Sequence, residues 1–153
     1  MPIFDDIVPA GHLWPVEARW PINRARALLE RFRAKFPNLR YDLLWETRLL
    51  NAQAFLSQDG RCVRLYGGLG RHRDIGAEGL AFALAHETGH HLGGPPYHPY
   101  YSSLSSEERA NEWAAEIGLS IVFGAEVGSR YAQRGLLQLD ALSKHYAIRS
   151  AIW

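Results

Sequence analysis

The stretch LAFALAHETGHHLGG, Leu80 to Gly94, carries most of the information in this chain. It opens with Leu80, Phe82, Ala83, Leu84 and Ala85 in a helical pattern and closes on two glycines. The pattern predicts a helix from Gly76 to about Leu92, stopped by the GGPP run that begins at Gly93. Positions i and i+4 of a helix lie on one side, about one turn apart. His86 and His90 therefore present two imidazoles that can both reach one ion at about 2.0–2.1 Å. Glu87 points to a flanking side, where it is placed to take a proton from metal-bound water. The plainer alternative is a pair of packed or exposed helix histidines. The apolar approach to His86, the order His-Glu-x-x-His and a suitable acid downstream favour the metal site.

A catalytic zinc takes three protein ligands and keeps one position open. The segment SEERANEWAAEIGLSIVFG, capped by Ser105 or Ser106, is predicted as a second helix, with Glu107 and Glu108 in its first turn as the helix dipole prefers. Its acids Glu107, Glu112 and Glu116 are the candidate third ligands, while Glu108 points away. Glu107 follows His90 by 17 residues, enough chain for a loop and a return. Asn111 lies one turn beyond Glu107 and can hydrogen-bond the second nitrogen of a ligand histidine, fixing its tautomer. Small Ala110 and Ala114 permit close approach to the first helix. Glu107 is the leading candidate, with Glu112 or Glu116 in reserve.

Outward from these helices, Ala52 to Ser57 and Arg61 to Tyr66 flank Asp59-Gly60 and read as a hairpin. Residues 1–21 contain several prolines and read as irregular, anchored by Trp14 and Trp20. Asn23 is the expected cap of a helix running to Phe36, with Leu28, Leu29, Phe32 and Phe36 on one face. Tyr41 to Leu50 fits either strand or helix. A last helix is expected from Tyr131 to Ile148. The class is α+β.

The bulk numbers agree with one folded domain over 1–153. At 153 residues a core buries roughly two-thirds of the unfolded surface and needs no staples. The chain is 47% hydrophobic and 22% charged, which argues against disorder. A formal charge of +1 leaves no basic footprint, so no nucleic acid is expected as a partner. The crowd of basic residues from Arg24 to Lys35 suits a solvated helix face. The single cysteine, Cys62, allows neither a disulfide framework nor a Cys-rich zinc module. No apolar run approaches the roughly 18 residues of a membrane span, and the acidic start MPIFDDIVPAGHLWP lacks a basic n-region. A cytoplasmic location is the expectation.

These residues resemble the gluzincin metallopeptidases, which join His-Glu-x-x-His to a glutamate ligand on a second helix. One similar branch comprises HtpX, the CAAX prenyl endopeptidases and the soluble minigluzincins. Its features appear here as Asn51-Ala52, Asp59-Gly60, Arg61 to Tyr66, Gly68-Leu69 and EGLAFALAHETGH, with Asn111 where that branch has aspartate. The other is the ImmA/IrrE group, whose second helix EERANEWAAE (107–116) resembles. The resemblance covers residues 51 to 125, the expected catalytic core.

The resemblance implies a zincin-like fold, in which the hairpin belongs to a small antiparallel or mixed sheet whose edge lies over the active-site helix. It implies a Zn2+ cofactor on His86, His90 and Glu107, Glu87 as general base, and a peptide or protein substrate paired with that edge. A further donor steadies the oxyanion. Tyr97, His98, Tyr100, Tyr101, His145 and Tyr146 are all candidates, and nothing in the sequence selects among them. The C-terminal segment LLQLDALSKHYAIRSAIW is ordinary helix packing or, as minigluzincins suggest, a tail that plugs the cleft. The competing function is a non-proteolytic metal-binding module that recognises a protein partner. Glu87 favours catalysis, since a binding module has no need of a carboxylate there.

Overall fold

A computed structural model describes residues 6–146. Residues 1–5, the expected end of the last helix at Ile148 and the remainder of the proposed plugging tail lie outside the described residues. The chain is α+β. Strand β1 (Asp6–Ile7) pairs antiparallel with β3 (Leu49–Leu50). The main sheet holds β2 (Arg40–Leu44), β5 (Gly60–Tyr66) and β4 (Ala52–Ser57) in the order β2-β5-β4. It is mixed: β2 runs parallel to β5 and β4 antiparallel to it. The expected hairpin is present, turning through Gln58-Asp59 into Gly60, whose φ of +112° suits a residue without a Cβ. The ambiguous segment after Tyr41 resolves as β2 and β3.

Helix α1 (Arg19–Lys35) begins four residues before the expected cap. Its N-cap is Ala18, not Asn23, and it contains Trp20 and Pro21. The first N–H groups of a helix have no intrahelical acceptor, so Pro21 in the first turn gives up no hydrogen bond. Residues 6–18 are not wholly irregular either, since they include β1 and a 3-10 turn at Ala10–His12. Trp20 is no anchor: it is half exposed, stacked edge-on to Trp14 at 5.2 Å. The expected apolar face is real, with Leu28, Leu29, Phe32 and Phe36 buried and Phe32 against Tyr41 at 5.9 Å between centroids.

Helix α3 (Ala77–Leu92) runs through the interior rather than across a surface. Every residue from Gly79 to His91 is buried. It is packed by α1, β4, β5, α4 (Glu107–Trp113) and α6 (Ala125–His145). A helix that turns no side to solvent is stable only when surrounded in this way. After α4 the helix widens into a π segment, Ala114–Gly118, before resuming as α5 (Leu119–Phe123). The extra residue of a π turn delays the buried stripe, so that Gly118, Leu119 and Val122 face inward. Ile117 and Ile121 are left at the surface. Helix α6 starts six residues earlier than expected, because Gly128, a poor helix former, masks its second turn. Among the described residues, no helix is long and apolar enough to cross a membrane.

The turn between β5 and α3, including α2 (Gly67–Gly70), is held by Arg71. Arg71 is 4% exposed, and among the described residues no carboxylate pairs with it. Instead Nε donates to Trp45 O (3.0 Å), Nη1 to Trp14 O (3.1 Å), and Nη2 to Glu46 O (3.2 Å) and Thr47 O (3.3 Å). One side chain thus ties the N-terminal segment to the β2–β3 connection. Hydrogen bonds from a charged donor contribute about 1.5–3 kcal/mol each, and carbonyls left unpaired add to the loss. Arg71→Ala is expected to cost at least about 3 kcal/mol and to lower Tm by about 6–12 °C in thermal unfolding. An unchanged Tm would show that water replaces these bonds without loss.

Candidate metal centre

The residues His86 to His91 all lie on α3, and between them they meet α4, β2 and β5. His86 Nε2 lies 3.0 Å from Glu107 Oε2, and His90 Nε2 lies 3.2 Å from the same oxygen. The two imidazole rings are nearly perpendicular, with centroids 4.7 Å apart. One ligand atom from each of His86, His90 and Glu107 falls within 4.8 Å of the other two, and the group could hold a metal ion. At metal–ligand distances near 2.1 Å, tetrahedral ligand atoms sit about 3.3–3.4 Å apart, close to the spacing found.

The hydrogen bonds behind the rings decide their tautomers. His86 Nδ1 faces Asn111 Oδ1 at 2.6 Å, and His90 Nδ1 faces the Ser105 carbonyl at 2.7 Å. With the side-chain oxygen of Asn111 in that position, both partners are acceptors, so each Nδ1 carries the proton and each Nε2 turns a lone pair toward Glu107. His90 Nε2 is buried with no well-directed hydrogen bond. Two lone pairs and a carboxylate converging on one point repel each other unless a cation or protons lie between them. The donor set therefore fits a metal ion.

The protonation of the group follows the same logic. Burial lowers the pKa of His86 by more than Glu107 restores. Burial also works against the charged form of His90, but the carboxylates of Glu107 and Glu87 prevail and raise its pKa. Burial opposes ionisation of Glu107, yet the two histidines outweigh it and hold its carboxyl below the ordinary range. Glu87 differs from all three. It is fully buried, neither oxygen has a well-directed hydrogen bond, and burial pushes its pKa up to about 8.

The remaining residues of the run fix the helix in place. Thr88 Oγ1 donates to Leu84 O at 2.7 Å and lies 2.8 Å from Tyr41 Oη, tying α3 to β2. His91 Nε2–H donates to Cys62 O at 2.8 Å, and Arg61 reaches back to His91 O at 2.9 Å, tying α3 to β5. Burial lowers the pKa of His91 to about 4, so it is neutral and serves as an anchor. Gly89 meets α4: a Cβ there would lie 2.8 Å from Ala110 O and 3.1 Å from Trp113 Cε3. The expected close approach at Ala110 thus depends equally on Gly89. Ser106 caps α4 by accepting from Arg109 N at 3.1 Å, which puts Glu107 at the first helical position.

The other sequence candidates fall in different places. Glu112 pairs with Arg109 at 3.3 Å on the exposed side of α4. Glu116 is an exposed member of the π segment. His98 is buried, with Nε2 3.9 Å from Glu107 Oε1. Tyr97, Tyr100 and Tyr101 are exposed, and none hydrogen-bonds a ligand among the described residues. His145 and Tyr146 sit elsewhere, in a cluster with His12 and His72 whose centre is Tyr146 Oη, 2.6 Å from His12 Nδ1 and from His72 Nε2. The Ser105 carbonyl, which fixes His90, was not anticipated, and no side-chain pattern could have signalled it. No protein-family model matches the chain, and no curated protein or solved structure matches it either.

The Gly89–Ala110 contact sets how near Glu107 comes to the two histidines. Gly89→Ala gains helix propensity but forces the helices apart. Affinity for a divalent ion, measured by competition with a chelator, is expected to fall at least tenfold while far-UV circular dichroism stays native. Unchanged affinity would show that the contact does not set the ligand spacing.

Proposed function

We propose that this chain is a zinc-dependent peptide hydrolase of the gluzincin kind, with a zincin-like fold. The observation that carries the reading is a buried Glu87 carboxyl, without a well-directed hydrogen bond, beside three converging ligand atoms. His86, His90 and Glu107 hold the ion, and two imidazoles with one carboxylate suit zinc. Bound there, zinc supplies Lewis acidity toward water and a peptide carbonyl, together with the positive charge that lets Glu87 ionise.

The chain's own residues do the rest. Glu87 takes a proton from water as its oxygen attacks the carbonyl carbon, and returns it to the departing nitrogen. A carboxyl that burial pushes up to about 8 is disposed to keep the proton between those steps. Asn111 and the Ser105 carbonyl hold the two histidines in the ligating tautomer. Strand β4 is the way in for a substrate: it is the outer strand of the main sheet, packs on α3, and has no further strand on its far edge among the described residues. Gln53, Ala54, Phe55 and Leu56 line a recess of about 260 Å³ with Tyr101, Ser103 and Leu104. An extended peptide that adds to this edge would lay an apolar side chain in the recess.

A non-proteolytic metal module is the competing reading, and it gives Glu87 nothing to do. Two variants separate the readings. The purified protein is expected to hold about one zinc per chain by elemental analysis, and Glu107→Ala to lose it. Glu87→Gln is expected to keep the ion and to lose hydrolysis of a casein substrate by about 10²–10⁴-fold. Zinc bound with undiminished hydrolysis in Glu87→Gln would remove Glu87 as the base. Zinc bound with no hydrolysis in the unaltered protein would leave the binding module.

A further inference from the structure

His98 lies beside the ion site, and the geometry points to a role that the ligand histidines cannot fill: it donates a hydrogen bond to the carbonyl oxygen of a bound peptide as that oxygen becomes an anion. The assignment rests on the hydrolase reading above and adds a catalytic residue to it.

Placement narrows the choice. Of the six donors that the sequence offers, His98 has its ring nitrogen 3.9 Å from a ligand carboxylate, Glu107 Oε1. That is close enough for charge attraction but too long for a hydrogen bond, so His98 Nε2 has no hydrogen-bond partner among the described residues. The three tyrosines of the same loop are half exposed or more, while His98 is 7% exposed. His145 and Tyr146 belong to the His12–His72 cluster. The backbone holds His98 in register with the centre. His98 N donates to Leu104 O at 2.7 Å, and the next residue, Ser105, supplies the carbonyl that fixes His90. Ser105 N in turn donates to His90 O at 2.7 Å.

The tautomer then separates donor from ligand. Behind His86 and His90 lie acceptors, so their Nε2 atoms are lone pairs. Behind His98 lies a donor: Tyr100 N–H points at His98 Nδ1 from 3.1 Å. Nδ1 must accept, and the ring proton of the neutral imidazole therefore sits on Nε2. A metal-bound Nε2 would require the proton on Nδ1, where it would oppose the Tyr100 N–H. His98 is thereby excluded as a fourth ligand, the centre keeps an open position, and an N–H is aimed at its edge. A fixed donor at the point where negative charge develops is worth about 10²–10³ in rate.

The test uses the zinc-loaded full chain and a phosphinic pseudo-tripeptide with apolar side chains, whose anionic oxygens stand in for the oxyanion. Its dissociation constant is measured by calorimetry for the unaltered protein, His98→Ala and His98→Gln. His98→Ala is expected to bind it at least thirtyfold more weakly, with zinc affinity changed by less than threefold. His98→Gln, which keeps a donor, is expected to recover part of the loss. Long-range ¹⁵N–¹H spectra of the unaltered protein are expected to place the proton of His98 on Nε2 and those of His86 and His90 on Nδ1. Equal phosphinate affinity in all three proteins would overturn the proposal. So would a tenfold loss of zinc affinity in His98→Ala, or an Nδ1 proton on His98, either of which marks a ligand. If the unaltered protein holds zinc but neither binds the phosphinate nor cleaves casein, the hydrolase reading fails. The inference then falls with it, even if the tautomers are as expected.

Discussion

Glu107 reaches both histidines because α3 and α4 touch at Gly89 with no side chain between them. The Ala110 carbonyl and the Trp113 ring occupy the space that a Cβ would take. Closeness at this point propagates in both directions. Along α4 it fixes Glu107 at the first turn and Asn111 one turn on, so that one helix supplies both the carboxylate in front of the His86 ring and the acceptor behind it. Along α3 it leaves Thr88 and His91 to turn elsewhere, toward β2 and β5, where each finds a partner. The helix is polar in its second half and buried throughout; Thr88, His91 and the Nδ1 atoms of His86 and His90 find partners there, while both oxygens of Glu87 and His90 Nε2 are left without a well-directed hydrogen bond.

Tautomer choice runs through the site as a second organising rule. An imidazole in the neutral state has one nitrogen to give and one to accept, and the group behind the ring decides which is which. Acceptors stand behind His86 and His90, and a backbone donor stands behind His98. The same rule operates in the cluster around Tyr146. Asp74 N donates to His72 Nδ1 at 3.1 Å, so His72 Nε2–H donates to Tyr146 Oη, and that hydroxyl donates to His12 Nδ1. This cluster is a satisfied chain of hydrogen bonds linking the end of α6 to the N-terminal segment, and it offers no converging lone pairs.

What the sequence made legible follows from which interactions are local. The ligand pair lies within one helical turn, and Glu107 and Asn111 lie within another, so spacing alone carries their geometry. The hairpin is equally local, with its glycine at the turn. The hidden features are those set by distant chain. Arg71 is an ordinary arginine until Trp14, Trp45, Glu46 and Thr47 turn their carbonyls toward it. The carbonyl behind His90 belongs to Ser105, fifteen residues on, and any residue type could supply it. The burial of α3 on all sides could not be told from a one-sided helix, because its small apolar residues satisfy both patterns. The π segment shifts the buried stripe of its helix, putting Ile117 and Ile121 at the surface.

The state of Glu87 bears on what the centre is for. Leaving a carboxyl buried with no well-directed hydrogen bond costs roughly a few kcal/mol relative to a hydrogen-bonded or apolar group in the same space. Holding an ion requires His86, His90 and Glu107, and none of them depends on a hydrogen bond from Glu87. A chain whose centre served stability alone would fold better with an apolar residue at 87, packed against β4. The cost is incurred at the helix position that follows His86 and faces the edge strand β4. Burial there raises the proton affinity of the carboxyl, and a nearby cation lowers it again. A group poised between those two influences can accept a proton and release it, the property a general base needs and a structural residue does not.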